Sequence, residues 1–186
     1  MRIGGGDRGG RRIKMKARSR EGLRPTSSRA KTAIFNILPH DLSGMKALDL
    51  FAGSGALGLE ALSRGADLAV FVDAGREAFR LIQDNLRALD YRDRGQLLSK
   101  KAGPALEELS EHQAYFDLIF MDPPYDKGLV DKTLKQLARA GVLKPSGIVV
   151  VEHSGRELPA PRYAGLQLRD QRRYGDSWVS FYTEES

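Results

Sequence analysis

The stretch Asp49-Leu50-Phe51-Ala52-Gly53-Ser54-Gly55-Ala56-Leu57-Gly58 decides the fold. It leads from an apolar strand pattern, Ala47 to Phe51, through a G-x-G-x-x-G loop into a segment of helical spacing, Ala56 to Arg64. Asp73 stands twenty residues beyond Gly53, at the end of the next apolar run, Leu68 to Val72. Glycines let a backbone turn sharply and approach a ligand closely, and an acid at the tip of the second strand accepts hydrogen bonds from ribose hydroxyls. Phe51, Ala52, Gly53, Ser54, Gly55 and Asp73 are therefore candidate contacts to an adenosine-containing cofactor. A dinucleotide would place its pyrophosphate on the helix N-terminus. S-adenosylmethionine has no phosphate but carries a sulfonium and an ammonium, which suits Asp49, four residues before Gly53. The competing reading gives Asp49 only local backbone amides to satisfy, and the choice of cofactor stays open at this point.

Outward from the loop, short apolar runs continue to alternate with helical spacing. Leu97 to Leu98, Leu118 to Met121 and Ile148 to Val151 read as strands, and Arg76 to Leu89 and Val130 to Ala140 as helices. Such alternation implies right-handed βαβ crossovers and a mostly parallel sheet covered on both faces. Leu166 to Arg172 and Trp178 to Tyr182, separated by Gly175 and Asp176, predict a closing antiparallel hairpin, with Trp178 in the core. The expectation is an α/β fold with a seven-stranded sheet. Upstream, Thr26, Ser27 and Ser28 offer caps for a helix bearing Ala30, Ala33, Ile34, Ile37 and Leu38, which ends before Pro39.

The 186 residues, 41% hydrophobic, suffice for one core. The absence of Cys removes disulfides, thiolate metal sites and any Cys nucleophile, including the one that C5-cytosine methyl transfer requires. The longest apolar runs fall far short of the roughly 20 residues that span a bilayer, and no apolar stretch follows the basic N-terminus as a signal peptide would need. A cytoplasmic protein without membrane contact is expected. The net charge of +6 is unevenly spread. Residues 1–31 hold eleven Lys and Arg against Asp7 and Glu21, leaving nineteen basic and twenty-two acidic residues in the remainder. Residues 1–25 read as a basic arm, with at most a short strand at Arg11 to Lys16, and residues 26–186 as the enzyme domain. Such an arm suits a polyanion, because Lys and Arg neutralise phosphates and release counterions; the bland alternative is a solvated tail.

Asp122-Pro123-Pro124-Tyr125 follows the fourth strand, where the substrate crevice of such a sheet lies. Two prolines stiffen the turn and remove two N–H donors, so it presents mainly acceptors. The exocyclic amine of a nucleobase is a poor nucleophile because its lone pair is delocalised into the ring. If the Asp122 carboxylate and the Pro123 carbonyl accept its two hydrogens, the nitrogen becomes more tetrahedral and its lone pair can face a methyl group. Tyr125 can stack on the base for about 1–3 kcal/mol. Neither a metal nor a covalent intermediate is required. An NAD-dependent oxidoreductase would leave this tetrad idle, and a catalytically silent RNA-binding module would need neither motif. The tetrad alone does not choose between adenine N6, cytosine N4 and guanine N2.

With the loop Asp49 to Glu60, the tetrad resembles the amino methyltransferases. Further pieces resemble the RsmD family of bacterial 16S ribosomal RNA guanine-N2 methyltransferases: Met1-Arg2-Ile3-Gly4-Gly5, Arg8-Gly9-Gly10-Arg11, Gly22-Leu23-Arg24-Pro25-Thr26 with Arg29, Ile34-Phe35-Asn36-Ile37-Leu38, Val151-Glu152-His153 and Tyr174-Gly175-Asp176. The resemblance implies a Rossmann-like methyltransferase fold and action on 16S rRNA, in an assembled or partly assembled small-subunit particle; a monomer is expected. It implies that Asp49, Gly53 and Gly55 line the methionine side of S-adenosylmethionine, that Asp73 holds the ribose and that Arg24 and Thr26 close over the site. Arg8, Arg11, Arg12 and Arg24 are the implied RNA contacts. Two positions depart from the family pattern. Asp73 stands where Glu is usual, and Ser99-Lys100-Lys101-Ala102 replaces the Asp or Asn near the adenine amine, leaving backbone near Ala102 for that contact. His40, His112 and His153 lack metal-ligand spacing and read as surface or packing residues. Arg169, Arg172 and Arg173 read as a solvent-facing basic strand.

Overall fold

The computed structural model of the chain describes residues 1–15 and 28–185. Eight strands follow in chain order: β1 (Lys46–Leu50), β2 (Leu68–Val72), β3 (Gly95–Leu98), β4 (Phe116–Met121), β5 (Leu143–Ser154), β6 (Arg162–Tyr163), β7 (Leu166–Tyr174) and β8 (Ser177–Glu184). The helices are α1 (Ser28–Ile37), α2 (Ala56–Ser63), α3 (Arg76–Leu89), α4 (Ala102–Glu111) and α5 (Leu129–Ala140). They build one sheet in the order β3-β2-β1-β4-β5-β8-β7-β6, with β1 to β5 parallel and β6 to β8 antiparallel.

The expected seven strands become eight. β6 is only two residues long, Arg162 and Tyr163, and folds back onto Gln167 and Leu166 across the Ala164–Gly165 turn. Two residues display no alternation, so no sequence pattern marks them. Helix α4 is likewise one that the periodicity above does not single out. Its first turn is Ala102-Gly103-Pro104, where proline fits because the first amides of a helix have no internal acceptor.

Alternation along the strands divides the core into two layers. Ala47, Ala69, Phe71, Leu118, Phe120 and Val150 face α1, α2 and α3. Leu48, Leu50, Val70, Val72, Ile119, Met121, Val149 and Val151 face α4 and α5. The prediction of a sheet covered on both faces holds. Trp178 departs from its expected core position: it is half-buried at the hairpin end, whereas Val179, Phe181 and Tyr182 are buried.

Residues 1–15 lie against the first layer. Ile3 and Ile13 are buried in it, and Arg2 bridges to Arg12. One buried carboxylate anchors this segment. Glu60 on α2 accepts from the Gly4 and Gly5 amides at 2.7 and 2.9 Å and from Arg64 Nε at 3.1 Å, and it pairs with buried Lys31 from α1. Lys31 Nζ also donates to the Arg2 carbonyl at 2.9 Å. A Cβ on Gly6, at φ 75°, would lie 1.6 Å from the Ser63 carbonyl oxygen, so only glycine permits this approach. Ile3 and Ile13 supply the apolar contact that a solvated tail would lack.

Removing one member of a buried ion pair leaves the other uncompensated. Lys31→Met is expected to cost about 3 kcal/mol, a fall of roughly 6–12 °C in Tm by thermal denaturation.

Candidate active site

Strand register brings the motifs together. Leu50 pairs with Val72 on one side and with Met121 on the other, and Met121 pairs with Val151. The next residues, Phe51, Asp73, Asp122 and Glu152, therefore emerge from four adjacent strands at one edge, about 4.8 Å apart per strand. The strand order reverses here, with β2 on one flank of β1 and β4 on the other, which makes this the crevice of an open α/β sheet.

The glycine loop is built from left-handed residues, with φ 62° at Phe51, 55° at Gly53 and 77° at Gly55. Phe51 bears this conformation with a side chain, the kind of backbone strain that concentrates at functional sites. The Ala52 amide donates to the Val72 carbonyl at 3.0 Å, turning the loop across β2. At Gly58 a Cβ would meet the Phe71 ring at 2.4 Å, so the third glycine serves close packing of helix on sheet. Asp49, buried, accepts the Gly58 amide at 2.9 Å, which places a carboxylate on the first turn of α2. Asp73 accepts from Gly53 at 2.9 Å through one oxygen and from Gly75 at 2.8 Å through the other. Each oxygen retains a further lone pair, and the half-exposed residue stays accessible to a ribose.

Sequence reasoning missed Asn85. From α3 its Nδ2 donates to the Ser54 and Lys14 carbonyls, both at 3.0 Å, while its Oδ1 accepts the Lys14 amide at 2.8 Å. The available sequence signal was an amide three residues after Ile82, on the helical stripe of Ile82, Leu86 and Leu89. It joins the N-terminal segment to the glycine loop.

The tetrad is held from several directions. Pro123 is buried, and Asp122, Pro124 and Tyr125 are half-buried. The Tyr125 hydroxyl donates to Glu152 Oε1 at 3.1 Å and lies 2.9 Å from Ser177 Oγ. Beyond it, Glu157 accepts the Asp126 and Gly128 amides, each at 2.6 Å, and the Ser154 hydroxyl donates to Asp126 at 3.0 Å. Glu152 was also missed as a site residue; an acid ending the run Ile148-Val149-Val150-Val151 was its signal.

The edge is strongly acidic. Burial, with a smaller push from Asp122 and Asp73, holds the Asp49 carboxyl well above the usual range against the opposing Gly58 hydrogen bond. Burial, then the Asp122 charge, push Glu152 up to about 8. Burial and the Glu152 charge raise the Tyr125 phenol. The Asp122 and Asp73 charges beside buried Asp49 favour a cationic ligand and oppose a pyrophosphate.

The remaining candidates are placed as follows. Ala102 is the buried first residue of α4, at the end of the loop leaving β3; Lys100 pairs with Glu108, and Lys101 is exposed. Arg24 and Thr26 lie outside the described residues. Arg11 and Arg12 are exposed, whereas Arg8 is half-buried, donating to the Leu89 carbonyl at 2.9 Å and stacking 5.6 Å from the Tyr91 ring. His153 is buried, with Nδ1 2.9 Å from the Ser154 carbonyl and Nε2 2.7 Å from the Ser180 hydroxyl. A carbonyl only accepts, so Nδ1 carries the proton, and this histidine is a satisfied packing residue. Among the described residues no group of side chains could hold a metal ion.

The model of a family described as "Conserved hypothetical protein 95" matches residues 1–183. The "Putative rRNA methyltransferase YlbH" of Bacillus subtilis is 35% identical over 183 residues, 98% of either chain. The "Ribosomal RNA small subunit methyltransferase D" of Escherichia coli is 35% identical over 152 residues, covering 82% of this chain and 74% of its own. A solved structure of a hypothetical protein from Thermus thermophilus superimposes with a TM-score of 0.82 at 31% identity, over 100% of this chain and 99% of that one.

Glu152 is expected to make stability depend on pH. Its folded value of about 8 exceeds the ordinary 4.5, so the unfolded chain ionises first, and Glu152 costs stability as pH rises from about 4.5 to 8. Glu152→Gln removes this cost. The Tm of the variant relative to the parent is expected to grow across that window, reaching about 3 °C or more at pH 8.

Proposed function

The chain belongs to the ribosomal RNA small subunit methyltransferase D family, and on that premise we propose that it transfers a methyl group from S-adenosylmethionine to the exocyclic N2 amine of a guanine in 16S rRNA. That it is an S-adenosylmethionine-dependent rRNA methyltransferase follows from the family; the guanine, its N2 atom and the small-subunit particle are our reading. The observation that carries the choice of chemistry is the meeting of the left-handed glycine loop and a donor-poor acid tetrad at one sheet edge. The same edge fits the cofactor, because the Asp122 and Asp73 charges act on buried Asp49 and a cation placed among them offsets that effect.

S-adenosylmethionine, when bound, supplies an electrophilic methyl carbon on a sulfonium sulfur. Asp49 and the loop Phe51 to Gly55 would hold its methionine portion, Asp73 its ribose and backbone near Ala102 its adenine, with Arg24 and Thr26 closing over it. Asp122 and the Pro123 carbonyl accept the two amine hydrogens and turn the nitrogen lone pair towards the methyl group. As the N–C bond forms, Asp122 is placed to take the proton released. Pro123 and Pro124 keep competing N–H donors out of the corner, and Tyr125 presents a ring for the purine to stack upon. Arg8, Arg11, Arg12 and Arg24 would meet phosphates, Arg8 while also bracing Leu89. The protein is proposed to act as a cytoplasmic monomer on a fully or partly assembled particle. Among the described residues no helix is long and apolar enough to cross a membrane.

Purified protein, labelled S-adenosylmethionine and methylation-deficient small subunits should yield N2-methylguanine on mapping of the product base. Label on adenine N6 or cytosine N4 would overturn the guanine assignment. Asp122→Asn should lower kcat by about a hundredfold or more while leaving RNA affinity largely intact.

A further inference from the structure

Glu152 is badly placed for stability. It is 2% exposed, one of its oxygens has no hydrogen-bond partner among the described residues, and the Asp122 charge opposes its ionisation. A buried polar atom left unsatisfied is destabilising, and natural chains commonly tolerate such costs at functional sites. Its other oxygen accepts from the Tyr125 hydroxyl, which also meets Ser177 Oγ. The three groups come from separate elements: Tyr125 from the tetrad turn, Glu152 from the end of β5 and Ser177 from the start of β8. Glu152 pairs with Val179 across β5 and β8, so β8 fixes the relative position of both partners.

We propose that Glu152, assisted by Ser177, is a positioning residue that locks the Tyr125 ring as the platform for the acceptor base, so that the C-terminal hairpin completes the nucleobase site. This inference rests on the reading of the tetrad as that site. A phenol with two partners on different strands has one orientation, and its ring is fixed before the base arrives. The tyrosine then loses little freedom on binding, and the gain goes to orientation of the amine. Glu152 reaches the reaction through Tyr125, since its carboxyl is itself buried.

The test compares Glu152→Leu, Glu152→Gln, Tyr125→Phe and the double variant Glu152→Leu/Tyr125→Phe. The readouts are methylation kinetics on small subunits, S-adenosylmethionine affinity by calorimetry, and Tm. Glu152→Leu is expected to melt no lower than the parent while kcat/KM for RNA falls about tenfold. Tyr125→Phe should fall similarly, and the double variant should fall no further than either single one, because both break the same contact. Glu152→Gln, whose amide oxygen still accepts the phenol hydrogen, should keep most of the activity. Cofactor affinity should stay within about twofold throughout, since the loop is untouched. Full activity of Glu152→Leu, or losses that multiply in the double variant, would overturn the positioning role. A parallel fall in cofactor affinity and Tm would do the same by making Glu152 merely structural. The parent enzyme separates the two claims: without methylation of rRNA guanine the functional reading itself fails, whereas with it an unfavourable cycle removes only the role of Glu152.

Discussion

Two buried carboxyl groups, Asp49 and Glu152, stand at the carboxyl ends of β1 and β5 beside the charges of Asp73 and Asp122 that follow β2 and β4, and the cost of burying acid there is the constraint to which the rest of the site answers. Backbone amides relieve part of it: Gly58 donates to Asp49, and Gly53 and Gly75 donate to Asp73. What remains is an anionic rim beside a turn rich in acceptors. A rim of this kind is unsuited to phosphates and suited to a sulfonium and an ammonium. On the proposed reading, the methyl donor is drawn to this edge by its positive charge and the substrate amine is held there by acceptors.

Around that edge the fold provides two braces. On one side Asn85 ties the Ser54 carbonyl to Lys14, and Glu60 with Lys31 fastens Gly4 and Gly5, so the N-terminal segment is continuous with the glycine loop. On the other side β8 and the loop after β5 hold the tetrad through Ser177, Glu152 and Glu157. The N-terminal segment and the closing hairpin thus both connect to this sheet edge, mostly through hydrogen bonds of buried or half-buried groups. In such surroundings these bonds are stronger than in water and costly to leave unmade.

Much of this architecture was legible in the chain. The alternation of apolar runs with helical spacing foretold the parallel sheet, because burial on both faces demands continuous apolar strands. The glycine loop and tetrad announced themselves as residue types with special backbone requirements. Less visible was whatever depends on contacts distant in sequence. Arg162 and Tyr163 form a strand only because β7 lies beside them. Asn85 and Glu152 look unremarkable until Lys14, Ser54, Tyr125 and Ser177 come within reach. Arg8 carries a charge that reads as an RNA contact, yet its guanidinium also serves Leu89 and Tyr91. Charge is readable from sequence; the partner that engages it is a tertiary property.

The most direct measurement is a crystal structure with S-adenosylhomocysteine. The account predicts the ribose hydroxyls on Asp73 and the sulfur turned towards Asp122, with a gap between sulfur and carboxylate that admits one planar base in near-attack geometry. A ligand seated away from this edge, or a sulfur more than about 10 Å from the tetrad with no closing motion to bridge the gap, would contradict it.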